Sequence, residues 1–169
     1  MLTGKNISFS RGERELFSNL TFSLNPGETL RVRGANGTGK STFLRLLAGF
    51  LPLKPDQLLW KKEPVKKATL SHYQQHLLYG GHKLALSLDI CVQDQLCLWH
   101  RLYPLSRQTL KEALDFWGVG GTLHQKIVHL SQGQQKRLSL SRCSWMSRPL
   151  WILDEPEAGL DHVGQGHLK

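Results

Sequence analysis

With 169 residues, 40% hydrophobic and 21% charged, the chain is long enough for one compact domain with a sizeable core and too short for two. That mix excludes a disordered or fibrous protein. No run reaches the roughly 18 apolar residues of a spanning helix, and Met1–Gly12 has no apolar core of the signal-peptide kind, so a cytoplasmic chain is expected. The net charge of +9 fits nucleic acid, an anionic membrane surface or a plain basic face. Lys61-Lys62 and Lys66-Lys67 are the only lysine doublets, and no aromatic residues alternate with them as a single-strand stacking platform needs, so no nucleic-acid partner is expected. Cys91, Cys97 and Cys143 are odd in number with no C-x-x-C pair, which reads as buried, reduced thiols. Eight histidines without H-E-x-x-H or C-x-x-C-H read as solvated or core residues.

In chain order, the alternating apolar residues between Asn6 and Leu24, closed by Asn25-Pro26-Gly27, predict a small antiparallel strand-and-turn layer. A short strand is expected over Thr29–Arg33, running into a glycine-rich loop, followed by a helix with Phe43, Leu44, Leu46 and Leu47 at helical spacing until Gly49 and Pro52 end it. Short strands and turns follow to about Leu78. A helix is expected between Ser87 and about Tyr103, and another N-capped by Ser106 with Leu110, Ala113, Leu114 and Trp117 on one face. Gly118, Gly120 and Gly121 break it. A third helix is expected from Gln132 to Met146, then a buried strand over Leu150–Leu153.

The chemistry begins at Gly34-Ala35-Asn36-Gly37-Thr38-Gly39-Lys40-Ser41, a complete G-x-x-x-x-G-K-[ST] phosphate loop. Glycines reach backbone dihedrals that turn successive N–H groups inward onto phosphate oxygens, at the positive end of the following helix. Lys40 adds a full charge at the β and γ phosphates. Ser41 supplies a hydroxyl for Mg²⁺, and Thr42 is a further candidate phosphate contact. Leu150–Leu153 delivers Asp154 and Glu155 at its C-terminal end, where open α/β sheets bind ligands. Asp154 is the expected Mg²⁺ ligand and Glu155 the group that polarises the attacking water.

Leu130-Ser131-Gln132-Gly133-Gln134-Gln135-Lys136-Arg137 resembles the LSGGQ signature of ABC ATPases, with Gln132 departing from the usual small residue at its third position. Ser131 and the Gly133 backbone, with Gln134 beside them, would grip a γ-phosphate at a helix N-terminus. In that family the phosphate belongs to the other protomer, so the resemblance implies a homodimer sandwiching two ATP molecules. Ala158-Gly159-Leu160-Asp161 looks like the family's D-loop. The implied fold is α/β of the P-loop NTPase (ABC) type: one domain over 1–169 with a parallel core sheet, a small antiparallel layer and a helical insert at about 84–128.

Arg11-Gly12-Glu13-Arg14, Leu16-Phe17, Tyr79-Gly80-Gly81-His82 and Leu150–Pro156 narrow the resemblance to the CcmA-type ATPases of cytochrome c biogenesis. It implies a catalytic role for His82 at the Q-loop position and for Lys40 and Glu155. Arg11 would take the place of the adenine-stacking aromatic, a role open to a guanidinium plane. An integral permease of CcmB type, placement at the cytoplasmic face of the bacterial inner membrane as a peripheral subunit, and only indirect dealings with haem are implied as well. Members continue to an H-loop histidine, whereas this sequence stops at Lys169. His162 and His167 are expected to be surface residues rather than its substitutes. A fragment or truncated product that binds ATP but turns over weakly alone is therefore expected. The alternative is an ATP-responsive module without a transport role, for which Glu155→Gln would leave an already negligible rate unchanged. A soluble ABC ATPase acting on nucleic acid would instead show salt-dependent duplex binding.

Overall fold

The computed structural model describes residues 1–103 and 107–168. Two compact units emerge, one of Met1–Tyr79 with Arg148–Asp154, the other of Gly80–Ser147 with Glu155–Lys169.

In the first unit, β1 (Leu2–Arg11) and β2 (Arg14–Leu24) form an antiparallel hairpin whose register runs from Leu2 opposite Leu24 to Arg11 opposite Arg14. Gly12, at φ 62°, makes the turn between them. β3 (Leu58–Trp60) pairs with β1, and β4 (Glu63–Pro64) with β3, giving the sheet order β2-β1-β3-β4. This is the antiparallel layer the alternation predicts. Helix α1 (Lys40–Leu47) buries Phe43, Leu46 and Leu47. The Phe17 and Phe22 rings of β2 meet Phe43 edge-on at 5.5 and 6.0 Å, a geometry that adds electrostatic attraction to the area buried. α1 ends at Gly49, φ 73°, the left-handed stop favoured by glycine. Its orphan carbonyls are taken by α2 (Leu70–Gln74): the Tyr73 hydroxyl donates to Leu47 O at 2.7 Å and Gln74 Nε2 to Ala48 O at 3.2 Å. Burial holds the Tyr73 phenol far above its usual pKa, since a phenolate there would lose its hydration.

β5 (Leu77–Gly80) pairs with β6 (Leu150–Leu153), the parallel part of the fold, although some seventy residues of sequence, roughly, part them; that is the crossover parallel strands demand. Leu150 and Ile152 share a core with Phe43, Leu47, Leu58, Trp60 and Tyr73, and α1 packs on β6. Two expectations change here. Thr29–Arg33 is no strand: among the described residues it pairs with none, Leu30 is exposed, and only Val32 leans on the core. A strand exists through its neighbours, and the residue pattern cannot supply them. β6, too, is half-exposed rather than buried, since Trp151 is 49% accessible between buried Leu150 and Ile152.

The second unit is helical. α3 (Val92–Leu102), α4 (Arg107–Phe116), α5 (Gln132–Leu140), α6 (Arg142–Trp145) and α7 (His162–Gly166) surround Leu96, Trp99, Leu114, Trp117, Ile127 and Leu138. α3 starts later than its apolar pattern predicts. Ser87 N donates to Gln95 Oε1 at 2.8 Å, Ile90 N donates back to Ser87 O, and Cys91 bridges Lys126, so the preceding residues form a turn rather than helix. Ser106, the predicted cap of α4, lies outside the described residues. The single helix predicted from Gln132 to Met146 breaks at Ser141, whose hydroxyl donates back to Leu138 O at 2.7 Å, a local bond that competes with the helical ladder. His167 is not a plain surface residue: its ring stacks on Phe116 at 3.9 Å and meets Trp117 edge-on at 5.3 Å. Among the described residues no helix is long and apolar enough to cross a membrane.

The three cysteines are free, but only Cys143 is buried; Cys91 is half-buried and Cys97 exposed on α3. Burial pushes the Cys143 thiol up to about 11, against the opposing charge of Arg142. Because the thiolate is the nucleophile, a maleimide at neutral pH should alkylate Cys97 first and reach Cys143 only on unfolding. Peptide mass spectrometry over a time course checks the order.

Candidate functional site

The phosphate loop is shaped by two left-handed glycines, Gly37 at φ 81° and Gly39 at φ 97°, where a side chain costs about 1–2 kcal/mol. Gly39 has a second constraint: a Cβ there would stand 3.2 Å from Leu16 Cβ and 3.3 Å from Phe17 Cδ1 of β2. Thr38 Oγ1 donates to Ala35 O at 2.9 Å and closes the loop, after which Phe43 N donates to Gly39 O at 2.8 Å and starts the helix. Lys40 Nζ donates to Gly34 O at 2.9 Å and to Ala35 O at 3.0 Å. Its charge is thus held over the loop by carbonyls that phosphate oxygens can replace as partners. Asn36 and Gly37 are exposed at the tip, Ser41 is exposed in the first turn of α1, and Thr42 is half-buried beside it.

Along β6 burial alternates into the acidic pair: Asp154 is 5% accessible on the parity of Leu150 and Ile152, and Glu155 is exposed. Tyr79 on β5 feels Asp154. Its phenol is shifted up first by burial and then by that carboxylate, with Arg45 opposing. Tyr79, quoted in the sequence only as part of the Tyr79-Gly80-Gly81-His82 motif, and Arg45, which no motif includes, both act electrostatically at the acidic edge. Glu155 belongs to the second unit and has a left-handed backbone, φ 46°.

Also in the second unit, Ser131 caps α5. Its Oγ accepts from Gln134 N at 3.2 Å, and Gln134 Oε1 accepts from Ser131 N at 2.9 Å, a reciprocal capping box readable as S-x-x-Q. Gln134 thereby spends its side chain on the helix start. Gln132 is exposed, so its length meets solvent rather than backbone. At Gly133 a Cβ would stand 3.3 Å from Gly159 O. Asp161 accepts from Gly164 N at 2.9 Å and lies 3.7 Å from Arg137. Arg11 stands exposed at the tip of the β1–β2 hairpin, and His82 is exposed in the bend after β5.

The donor set suits Mg²⁺. Among the described residues no three His, Cys, Asp or Glu side chains converge. One buried carboxylate, Asp154, and one hydroxyl, Ser41, are what Mg²⁺ takes from a protein when phosphates and water supply the rest.

A glycine nest at a helix N-terminus, a lysine over it and a strand ending in two acids define a phosphate-loop nucleotide-binding domain. A model of the ABC transporter family matches residues 17–158. The chain is 42% identical over 97% of its length, and 81% of the relative's, to the cytochrome c biogenesis ATP-binding export protein CcmA of Pseudomonas aeruginosa. It is 34% identical to the protein of that name from Vibrio cholerae, over 100% of this chain and 82% of that one. In fold it is similar to an ATP-binding subunit of an ABC transporter, with TM-score 0.83 and 23% identity over 99% of this chain and 71% of that one. The cbiO1 subunit of Clostridium perfringens gives TM-score 0.79 at 22% identity, over 99% and 70%. The chain belongs to the ABC transporter ATP-binding family, and within it to the CcmA group. Members of that class are ATPases that work as dimers with membrane components.

Replacing Gly39 by alanine tests the loop. The left-handed backbone and the contact with Leu16 should together cost about 1–2 kcal/mol of stability, and ATP affinity should fall with the loop's shape. Urea unfolding and a fluorescent-nucleotide titration measure the two effects separately.

Proposed function

We propose that this chain is the ATP-hydrolysing, energy-coupling subunit of a membrane complex for c-type cytochrome biogenesis. The observation that carries the reading is Lys40, hydrogen-bonded to Gly34 and Ala35 over a nest of left-handed glycines, on a helix packed against the strand β6 that Asp154 directly follows. In this reading Gly34 to Gly39 donate main-chain N–H groups to the triphosphate, Lys40 neutralises its β and γ oxygens, and Thr42 adds a hydroxyl. Arg11 stacks on the adenine. Ser41 and Asp154 hold Mg²⁺, which when bound neutralises phosphate charge and orients the chain of phosphates. Glu155 accepts a proton from water as the water oxygen bonds the γ-phosphorus and the β–γ bridging oxygen leaves with its electron pair. His82 orients that water. Ser131, Gly133 and Gln134 present the N-terminus of α5 to the γ-phosphate held by a second copy.

ATP binding then closes a two-chain sandwich and hydrolysis opens it, and a permease of CcmB type converts the cycle into movement or remodelling of its substrate. The export function named in the CcmA relatives supports this, with haem met only through that partner. In this reading the chain sits as a peripheral subunit on the cytoplasmic face of the bacterial inner membrane, beside that permease.

Removing the ammonium by Lys40→Ala should lower the hydrolysis rate by about 10² or more and weaken nucleotide binding. Phosphate release and equilibrium binding of labelled ATP are the measurements. Unchanged affinity in that variant would contradict the placement of the phosphates.

A further inference from the structure

The segment carrying Glu155 is fastened along its length to helix α5. Lys136 Nζ donates to Glu155 O at 3.0 Å, and the same carbonyl accepts from Ala158 N at 3.2 Å. One residue on, Arg137 faces Asp161 at 3.7 Å. One turn earlier, Gly133 leaves room for Gly159 O, which a Cβ would meet at 3.3 Å. Positions 133, 136 and 137 are related by three and four residues and so share one helix face. That face grips the run from Glu155 to Asp161, and all of these groups lie in the second unit.

Of these contacts, the one at Glu155 has the most to hold. Its φ of 46° lies in the region that L-residues adopt only when surrounding contacts enforce it. A left-handed residue directly after a strand redirects the chain, and the direction of its Cα–Cβ bond depends on that peptide staying in place. Lys136 supplies a charged donor to the peptide carbonyl itself, and charge-assisted bonds are the stronger kind. The Glu155 side chain is left unengaged by this bond, because the backbone oxygen is the acceptor.

We infer that Lys136 is a positioning residue for ATP hydrolysis: it fixes the left-handed peptide at Glu155 and so aims the carboxylate at the attacking water. The helix bearing Lys136 starts at the Ser131–Gln134 capping box. Movement of that helix N-terminus when it takes up a phosphate is thereby passed to the carboxylate through a rigid turn and a half of helix. The inference rests on Glu155 acting as the base.

The test uses the full chain assembled with its membrane partner for kinetics, and the chain itself for amide exchange. Lys136→Met should lower kcat about tenfold, the scale of a small misplacement of a catalytic group, with KM for Mg-ATP within about twofold. Exchange at the Ala158 amide should quicken while amides of the phosphate loop keep their rates. Lys136→Arg, which keeps a charged donor, should restore kcat. If Lys136→Met does not fold, Lys136→Gln, too short to span the gap, carries the same expectation. Glu155→Gln separates the two levels. If it abolishes turnover while Lys136→Met runs at the unmodified rate, or leaves Ala158 exchange unchanged, the tether is wrong and Glu155 keeps its role. If Glu155→Gln itself turns over normally, the assignment of the base falls and this inference with it. Equal loss of kcat in the Met and Arg variants, accompanied by a lowered melting temperature, would show a merely structural lysine.

Discussion

The left-handed peptide at Gly39, pressed against Leu16 and Phe17 of β2, is the constraint on which the nucleotide site depends. It lets the chain turn from the loop into α1 within one residue, so that Lys40 begins the helix and Phe43 is bonded back to Gly39 O. From there the hydrophobic effect takes over. Phe43, Leu46 and Leu47 are each no more than 5% accessible, and burying three such side chains stabilises the helix position by about 1.5–3 kcal/mol apiece. A phosphate loop is only as well placed as the helix behind it, and this helix is packed between an antiparallel sheet and β6, the strand just before Asp154.

The two adjacent acids illustrate how one strand assigns different chemistry to neighbours. Asp154 continues the buried parity of Leu150 and Ile152, and its charge reaches the half-buried Tyr79 phenol. Glu155 falls on the exposed parity and leaves the strand in a left-handed turn. In the proposed reaction, the buried carboxylate just after the strand would suit a fixed cation and the exposed one in the turn a proton exchange with water.

Legibility in the sequence followed the range of the interactions involved. The loop at residues 34–41, the α1 face and the Ser131 cap are set by residues within a few positions of one another, and each stands where its pattern places it. The β1–β2 hairpin is legible through its local alternation and turn residues, although its register reaches from Leu2 to Leu24. Thr29–Arg33 was misread because a strand is defined by partners that its own residues cannot reveal. The expected helix over Gln132–Met146 breaks at Ser141 because one hydroxyl, bonding back to Leu138 O, outweighs a continuous apolar pattern. The exposure of Cys97 and the stacking of His167 on Phe116 depend on packing from distant sequence, as does the reach of Lys136 to Glu155 O. The local geometry of the loop and of the α5 cap was thus legible in the sequence, while the packing and the distant contacts that support them were not.

The account turns on where a bound triphosphate lies. A crystal structure of the chain with Mg²⁺ and a non-hydrolysable ATP analogue decides it. The β-phosphate should sit among the amides of residues 37–41, with Lys40 Nζ moved off Gly34 O and Ala35 O onto phosphate oxygens, and with Asp154 on the side of the metal. A nucleotide bound elsewhere, or one bound here with Lys40 still on its own loop carbonyls, would contradict the account.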